Sequence, residues 1–233
     1  VAGLLLLVPV GLIMRQPDLG TALLVLSTGL AVLFFAGLSW RLILPPVVLG
    51  LVGIVLLVIF EPKLCVDGMD WKVLHEYQRQ RVCTLLDPGR DPLGKGFHII
   101  QGMIAIGSGG FWGKGFLQGT QTRGDFVPAQ NTDFIFSSVG ENFGFFGCLI
   151  LLIIYFGLMF RLVFLAERQR SIFSRVYMYC VVGILFFHVA LNVCMTLGLA
   201  PSPGITLPLI SYGGSSLITF TVLLFIAIKL DSD

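Results

Sequence analysis

Asp133 stands in the run NTDFIF, at the head of a long apolar stretch, with Thr132 before it as a candidate N-cap. As the first helical residue it would be held ionised by the helix N-terminus. An ionised carboxylate facing water can serve as a general base. The plain alternative is an acidic residue that merely favours a first turn. Glu141 follows eight residues on, about 12 Å deeper along a helix rising 1.5 Å per residue. Offsets of four put Asp133, Ser137 and Glu141 on one face, flanked by Gly140, Gly144 and Gly147. A carboxylate within a spanning segment is by default functional and turned to the bundle interior; its alternative is a structural glutamate paired with a neighbouring arginine.

Other polar residues could join this chemistry. Asp18 in QPDLGT (16–21) is either part of an ordinary proline-led helix start or a second carboxylate in the same cavity. Arg79 and Arg81, beside Tyr77, Gln78 and Gln80, offer planar forks suited to phosphate oxygens, and Lys95, Lys114 and Arg123 add positive charge. The alternative for each is a solvated basic face. The proline- and glycine-rich run PSPGITLPLISYGGSS (201–216) breaks the backbone at membrane depth, which is tolerated where it lines a cavity or is buried in protein. Its Ser211, Tyr212 and Ser215 are candidates for holding a sugar or a phosphate, against a simple helix start at Ser211. His188, Asn192 and Thr196 form one polar stripe, read as interhelical hydrogen bonding. GSGGFWGKG (107–115) reads as a flexible turn, with a phosphate cradle as the alternative. It is no Walker loop, because Gly115 stands where Ser or Thr should follow Lys114.

The elements that must position these residues are membrane helices. Of 233 residues, 56% are hydrophobic and 12% charged, and the mean hydropathy is +0.92. A soluble domain carries about 25% charged residues, so lipid must solvate most of this chain. Segments of about 20 apolar residues suffice to span, and they occur at 1–15, 20–39, 42–60, 134–160, 176–198 and 209–229. The expected fold is an all-α polytopic bundle, a single transmembrane domain over 1–233, with a large polar loop at 61–132 in which 98–106 is apolar enough to lie in the interface as a short amphipathic helix. Arg41, the group Arg161, Arg168, Arg170 and Arg175, and Lys229 fall on one side if the helices alternate, and that side should be cytoplasmic. The 61–132 segment and the turns at 15–20 and 199–208 then converge on the outer surface. Cys65 and Cys83 share the polar loop and could form a disulfide in an oxidising compartment. Cys148, Cys180 and Cys194 read as packing residues. The small net charge of +2 gives no argument for nucleic acid.

The segments QPDLGT (16–21), HEYQRQRV (75–82), LLDPGRDPLGKGFHIIQ (85–101), AIGSGG (105–110), GTQ (119–121), NTDFIFSSVGENFG (131–144) and LPLISYGGSS (207–216) together resemble the SEDS family of bacterial cell-shape and division proteins. The YQRQR, HIIQ and GTQ forms are similar to its elongation branch. The resemblance implies a bundle of about ten helices, of which these six are the C-terminal part. It departs from the family where a second acidic residue is replaced by Asn142.

The resemblance also implies a function. That function is an inverting glycosyltransferase polymerising lipid II, an undecaprenyl-diphosphate disaccharide pentapeptide, on the outer face of the bacterial plasma (inner) membrane. Asp133 matches the family's catalytic aspartate. The implied partners are a class B penicillin-binding transpeptidase, other membrane proteins of the elongation complex, and membrane lipid. Candidate substrate-binding residues are Asp18, Arg79, Arg81, Lys114, Glu141, Ser211, Tyr212 and Ser215. A divalent cation, Mg or Mn, is a candidate cofactor at the diphosphate. The rival readings are a lipid II flippase, which would need Glu141 more than Asp133, and a non-catalytic scaffold for the transpeptidase.

Overall fold

The computed structural model describes residues 2–16, 19–41, 44–45, 47–50, 52–53, 83–84, 95–124, 126–127, 129–200 and 204–232, and every regular element among them is helical. The chain divides into two compact units, 1–97 and 98–233.

In the first unit, α1 (Ala2–Arg15) packs on α2 (Leu19–Phe35). Gly29 permits the approach, since a Cβ there would lie 2.1 Å from Leu6 Cδ1. Small residues let membrane helices come this close. The second helix, expected to reach residue 39, stops at Phe35. Gly37 turns left-handed at φ +97°, and the Leu38 and Gly37 N–H groups cap the Leu33 and Phe34 carbonyls at 2.9 and 3.0 Å, a Schellman closure. Of the expected 42–60 helix, only 44–45, 47–50 and 52–53 are described, all helical. Cys83 is disulfide-bonded, whereas Cys148, Cys180 and Cys194 are free; Cys65 lies outside the described residues.

The second unit carries α3 (Lys95–Gly109), the single turn α4 (Thr120–Arg123), and three helices long and apolar enough to cross a membrane: α5 (Ile135–Arg168), α6 (Ile172–Thr196) and α7 (Gly214–Ser232). Within the polar loop, the interfacial helix expected over 98–106 runs longer, as α3. The helix expected over 134–160 continues to Arg168, because its apolar face stays in contact through Leu162, Leu165 and Ala166. These side chains form one core with Met178, Val181, Leu185 and Val189 of α6 and Phe220 and Ala227 of α7. The helix expected from 209 begins at Gly214, because Leu209 is left-handed at φ 66° and Tyr212 N is drawn to Asn131 O at 2.8 Å. A second, smaller core joins Ile99 and Ala105 of α3 to Val127 and Phe134 beneath the turn that bears Asp133.

Helix α5 is broken at Gly144 (φ 68°, ψ −163°), a conformation essentially confined to glycine. The break frees backbone groups that hydrocarbon cannot satisfy. The glycine-rich loop satisfies them. Lys114 N and Gly115 N donate to the Glu141 and Asn142 carbonyls at 3.0 Å each, while Phe145 N and Phe146 N donate to the Gly110 and Phe111 carbonyls at 2.8 and 3.2 Å. A Cβ on Gly113 would lie 2.2 Å from Asn142 O, and one on Gly144 would lie 2.3 Å from Gly113 N. Neither the flexible turn nor the phosphate cradle expected of this loop describes it: it is stitched into a helix break. Trp112 stacks on Phe146 at 4.9 Å and Phe111 meets Phe145 edge-on at 5.9 Å, all four rings exposed. Aromatic side chains so placed suit the membrane–water boundary.

Candidate active site

Asp133 does not begin the helix. It lies in a turn over 129–134, where Thr132 N and Phe134 N both donate to Ala129 O, at 3.0 and 3.2 Å. The helix starts two residues later, at Ile135, with Phe134 at the cap and no side-chain cap bond. Thr132 Oγ1 donates to Ala129 O at 3.2 Å, so the expected N-cap is absent. The reason is where the carbonyls point. Asn131 O accepts from Tyr212 N at 2.8 Å, Thr132 O from Ser211 Oγ at 2.6 Å, and Asp133 O from Asn192 Nδ2 at 2.9 Å. Carbonyls engaged outside the turn are not free to start a helical ladder.

The Asp133 carboxylate is half-buried, and burial raises its pKa above the ordinary aspartate value. Among the described residues no side chain pairs with it. In the last loop, Gly204 is left-handed at φ +72°, and a Cβ added there would lie 3.4 Å from Oδ2. The arginine-rich turn at 168–175 lies at the other end of α5, beyond the break at Gly144 and the helical run from Phe145 to Arg168, about 36 Å long at 1.5 Å per residue.

Glu141 and Lys114, both expected to contact substrate, are instead bonded to each other. Glu141 is fully buried. Its Oε1 accepts from Lys114 Nζ at 2.8 Å, Gln121 N at 2.8 Å and Thr120 Oγ1 at 3.3 Å, and Oε2 accepts from Thr122 N at 2.9 Å. Lys114 Nζ also donates to Thr120 Oγ1 at 2.7 Å. The carboxylate thus supplies the acceptors that α4 lacks at its N-terminus. Glu141 is thus paired, as in the structural alternative weighed for it, though with a lysine in place of the arginine. Asn142 completes the knot: its Oδ1 accepts from Gly119 N at 3.3 Å and its Nδ2 donates to Ser138 O at 2.8 Å.

Ser211, expected as a ligand for substrate, is buried and committed at both ends: it donates to Thr132 O and accepts from Leu207 N at 2.8 Å. Tyr212 places its side chain 83% exposed beside the Asp133 turn, and Ser215 is exposed in the first turn of α7. Of the polar stripe on α6, Asn192 hydrogen-bonds across to other segments, and the His188 ring meets Phe220 of α7 edge-on at 5.0 Å. Thr196 Oγ1 bonds Val193 O and His188 Nδ1 lies 2.9 Å from Ile184 O, both within their own helix. Asp18, Arg79 and Arg81 lie outside the described residues. A cavity of about 490 Å³ opens on the α4 side of the turn, between Arg123, Gln130, Asn131, Ser138 and Asn142. Among the described residues no three of His, Cys, Asp and Glu gather as metal ligands.

Sequence reasoning placed Asn192 in an interhelical hydrogen-bonding stripe without naming its partners, and it missed the Glu141 knot and the approach of Gly204. Gly204 had a local signal, its place in a broken proline-rich loop.

The whole chain, residues 1–233, matches the FtsW/RodA/SpoVE family of cell cycle proteins. It is 49% identical over 218 residues to peptidoglycan glycosyltransferase MrdB of Escherichia coli (strain K12), covering 94% of this chain and 56% of MrdB. All of it superposes on 61% of a chain from "Structural coordination of polymerization and crosslinking by a peptidoglycan synthase complex", with a TM-score of 0.72 and 38% identity. It also superposes on 55% of the Thermus thermophilus rod shape determining protein RodA, with a TM-score of 0.60 and 31% identity. The chain spans about half the length of the curated relatives it matches. On sequence, fold and coverage, this chain belongs to the FtsW/RodA/SpoVE family of cell cycle proteins.

Proposed function

We propose that this chain carries the catalytic carboxylate of a peptidoglycan glycosyltransferase that polymerises lipid II at the outer face of the plasma membrane during cell elongation. The observation that carries the reading is Asp133: a half-buried carboxylate with no paired cation among the described residues, on a turn anchored at one end of α5, with the arginine-rich turn at the other. Cytoplasmic turns concentrate arginine, which supports an outward-facing Asp133. The MrdB relative is a peptidoglycan glycosyltransferase, which supports the same reaction here.

In the proposed reaction, Asp133 takes the proton from the 4-hydroxyl of the acceptor sugar. The oxygen forms a bond to the donor's anomeric carbon as the bond to the diphosphate breaks, inverting that carbon. A partly desolvated carboxylate is a better base than an exposed one, because its conjugate acid holds the proton more tightly. Arg79 and Arg81 are proposed to stabilise the departing diphosphate. A cation bound chiefly by the diphosphate would supply further charge there. The class B transpeptidase is the proposed partner, supported by the likeness to a chain of a synthase complex.

The transport reading needs Glu141 as a mobile relay within the bundle. That carboxylate is saturated by four donors from one loop, which favours synthesis over transport. The test is polymerisation by the full-length protein with its transpeptidase partner in detergent, where no membrane separates two sides. Labelled glycan should appear with wild type and be lost with Asp133→Asn. Polymer made equally well by a folded Asp133→Asn protein would overturn the reading.

A further inference from the structure

We infer that Asn192 and Ser211 are positioning residues of the transfer reaction: together they fix the Asp133 carboxylate against Gly204 by holding the turn's own carbonyls. The inference rests on Asp133 being the general base and extends that reading to two residues that touch no substrate.

Three consecutive carbonyls, those of Asn131, Thr132 and Asp133, each accept a hydrogen bond from outside the turn, at 2.8, 2.6 and 2.9 Å. Two of the donors, Tyr212 N and Ser211 Oγ, come from the last loop, and the third is Asn192 Nδ2 of α6. Asn192 also donates to Ile205 O at 2.6 Å, so one amide group ties Asp133 to the residue that follows Gly204. Ser211 performs the same double service, receiving Leu207 N while donating to Thr132 O. The 204–212 loop is therefore a strap across the turn. With its backbone carbonyl held, Asp133 retains only side-chain torsions, and Gly204 stands beside Oδ2.

Asn192 is an uneconomical residue if stability is its purpose. It is fully buried, and its Oδ1 has no hydrogen-bond partner among the described residues. A buried acceptor left without a partner is costly, and an apolar residue of similar shape would avoid it. Exchanging Oδ1 and Nδ2 gives no relief, because both bonds run to carbonyls, which need a donor. What Asn192 provides and leucine cannot is a forked donor reaching two carbonyls on two segments. Positioning matters here because a displacement of about 1 Å between reacting groups can cost about 100-fold in rate.

The experiment uses the full-length protein with its transpeptidase partner and steady-state polymerisation of lipid II. Asn192→Leu and Ser211→Ala should each lower kcat about 10- to 100-fold and leave KM within about twofold, because neither residue binds substrate. Thermal unfolding identifies variants that remain folded, and Ser211→Ala, the milder change, keeps the test open if Asn192→Leu fails to fold. Ser211→Ala is then repeated in an Asp133→Glu background, whose carboxylate is already displaced by one methylene. There the serine change should cost less than about threefold, since positioning already lost cannot be lost again. A kcat within twofold of wild type in folded Ser211→Ala would overturn the inference. So would a rise in KM at constant kcat, or the same full loss in both backgrounds, which would assign Ser211 to the fold alone. If Asp133→Asn polymerises normally, the base reading itself falls; if Asp133→Asn is inactive and Ser211→Ala is not impaired, only the positioning inference falls.

Discussion

Replacing Glu141 with alanine should unfold this protein more readily than any change at Lys114. The alanine removes the acceptor for two backbone N–H groups, those of Gln121 at 2.8 Å and Thr122 at 2.9 Å, and leaves Lys114 with the Thr120 hydroxyl but no counter-charge. Unpaired buried donors cost about 1–3 kcal/mol each, and breaking a buried ion pair from one side about 3–5 kcal/mol. The ammonium escapes part of that cost, since the Lys114 side chain is 24% exposed and can turn to water. With two donors at about 1–3 kcal/mol each and part of the ion-pair cost, the expected loss for Glu141→Ala is at least about 3 kcal/mol, or at least about 6 °C in Tm on the scale of globular domains of about 150–250 residues. Lys114→Met leaves the carboxylate its two N–H donors and the Thr120 hydroxyl, and should cost about 1.5–3 kcal/mol. The assay is thermal unfolding of the full-length protein in detergent, read by intrinsic fluorescence. The double variant should show coupling of at least about 1 kcal/mol. Glu141→Ala as stable as wild type, or less harmful than Lys114→Met, would refute the reasoning.

Three further outcomes follow from the same geometry. Because burial raises the Asp133 pKa and the base must be ionised, kcat/KM should be full above that pKa and fall with acidification, beginning above the ordinary aspartate value of about 3.9; a pH–rate profile flat down to that value would contradict the burial. Gly204→Ala should move this acidic limb to higher pH by placing a methyl 3.4 Å from Oδ2, and should destabilise by about 1–2 kcal/mol through its left-handed backbone; an unmoved limb and an unchanged melting temperature would separate Gly204 from the carboxylate. Gly144→Ala should cost more than about 3 kcal/mol or prevent assembly, since the strained φ/ψ and a Cβ 2.3 Å from Gly113 N act together; normal expression and melting would show that the helix break is not needed.

The apolar helices α1, α2, α5, α6 and α7 were legible because apolar length is a property of local sequence. Their ends were less so. α5 runs past residue 160 because Leu162 and Leu165 find α6 and α7, and α7 starts late because Tyr212 N is used by Asn131 O. Asp133 could be picked out by residue type and place, but its setting could not. Whether Thr132 caps a helix depends on what Ser211 does 79 residues away. Glu141 shows the same limit: spacing by four put it on the buried face, and only the loop packed there decides between ligand and knot. The glycine-rich loop was visible as glycine, yet its purpose appears only beside the break at Gly144.

The most direct measurement is single-turnover glycan transfer by the full-length protein carrying Asp133→Asn, with lipid II binding measured alongside. Loss of the base should slow transfer by about 10²–10⁴-fold while binding stays near wild type. Transfer within threefold of wild type, or a loss explained wholly by weaker binding, would contradict the assignment of Asp133 as the group that takes the proton.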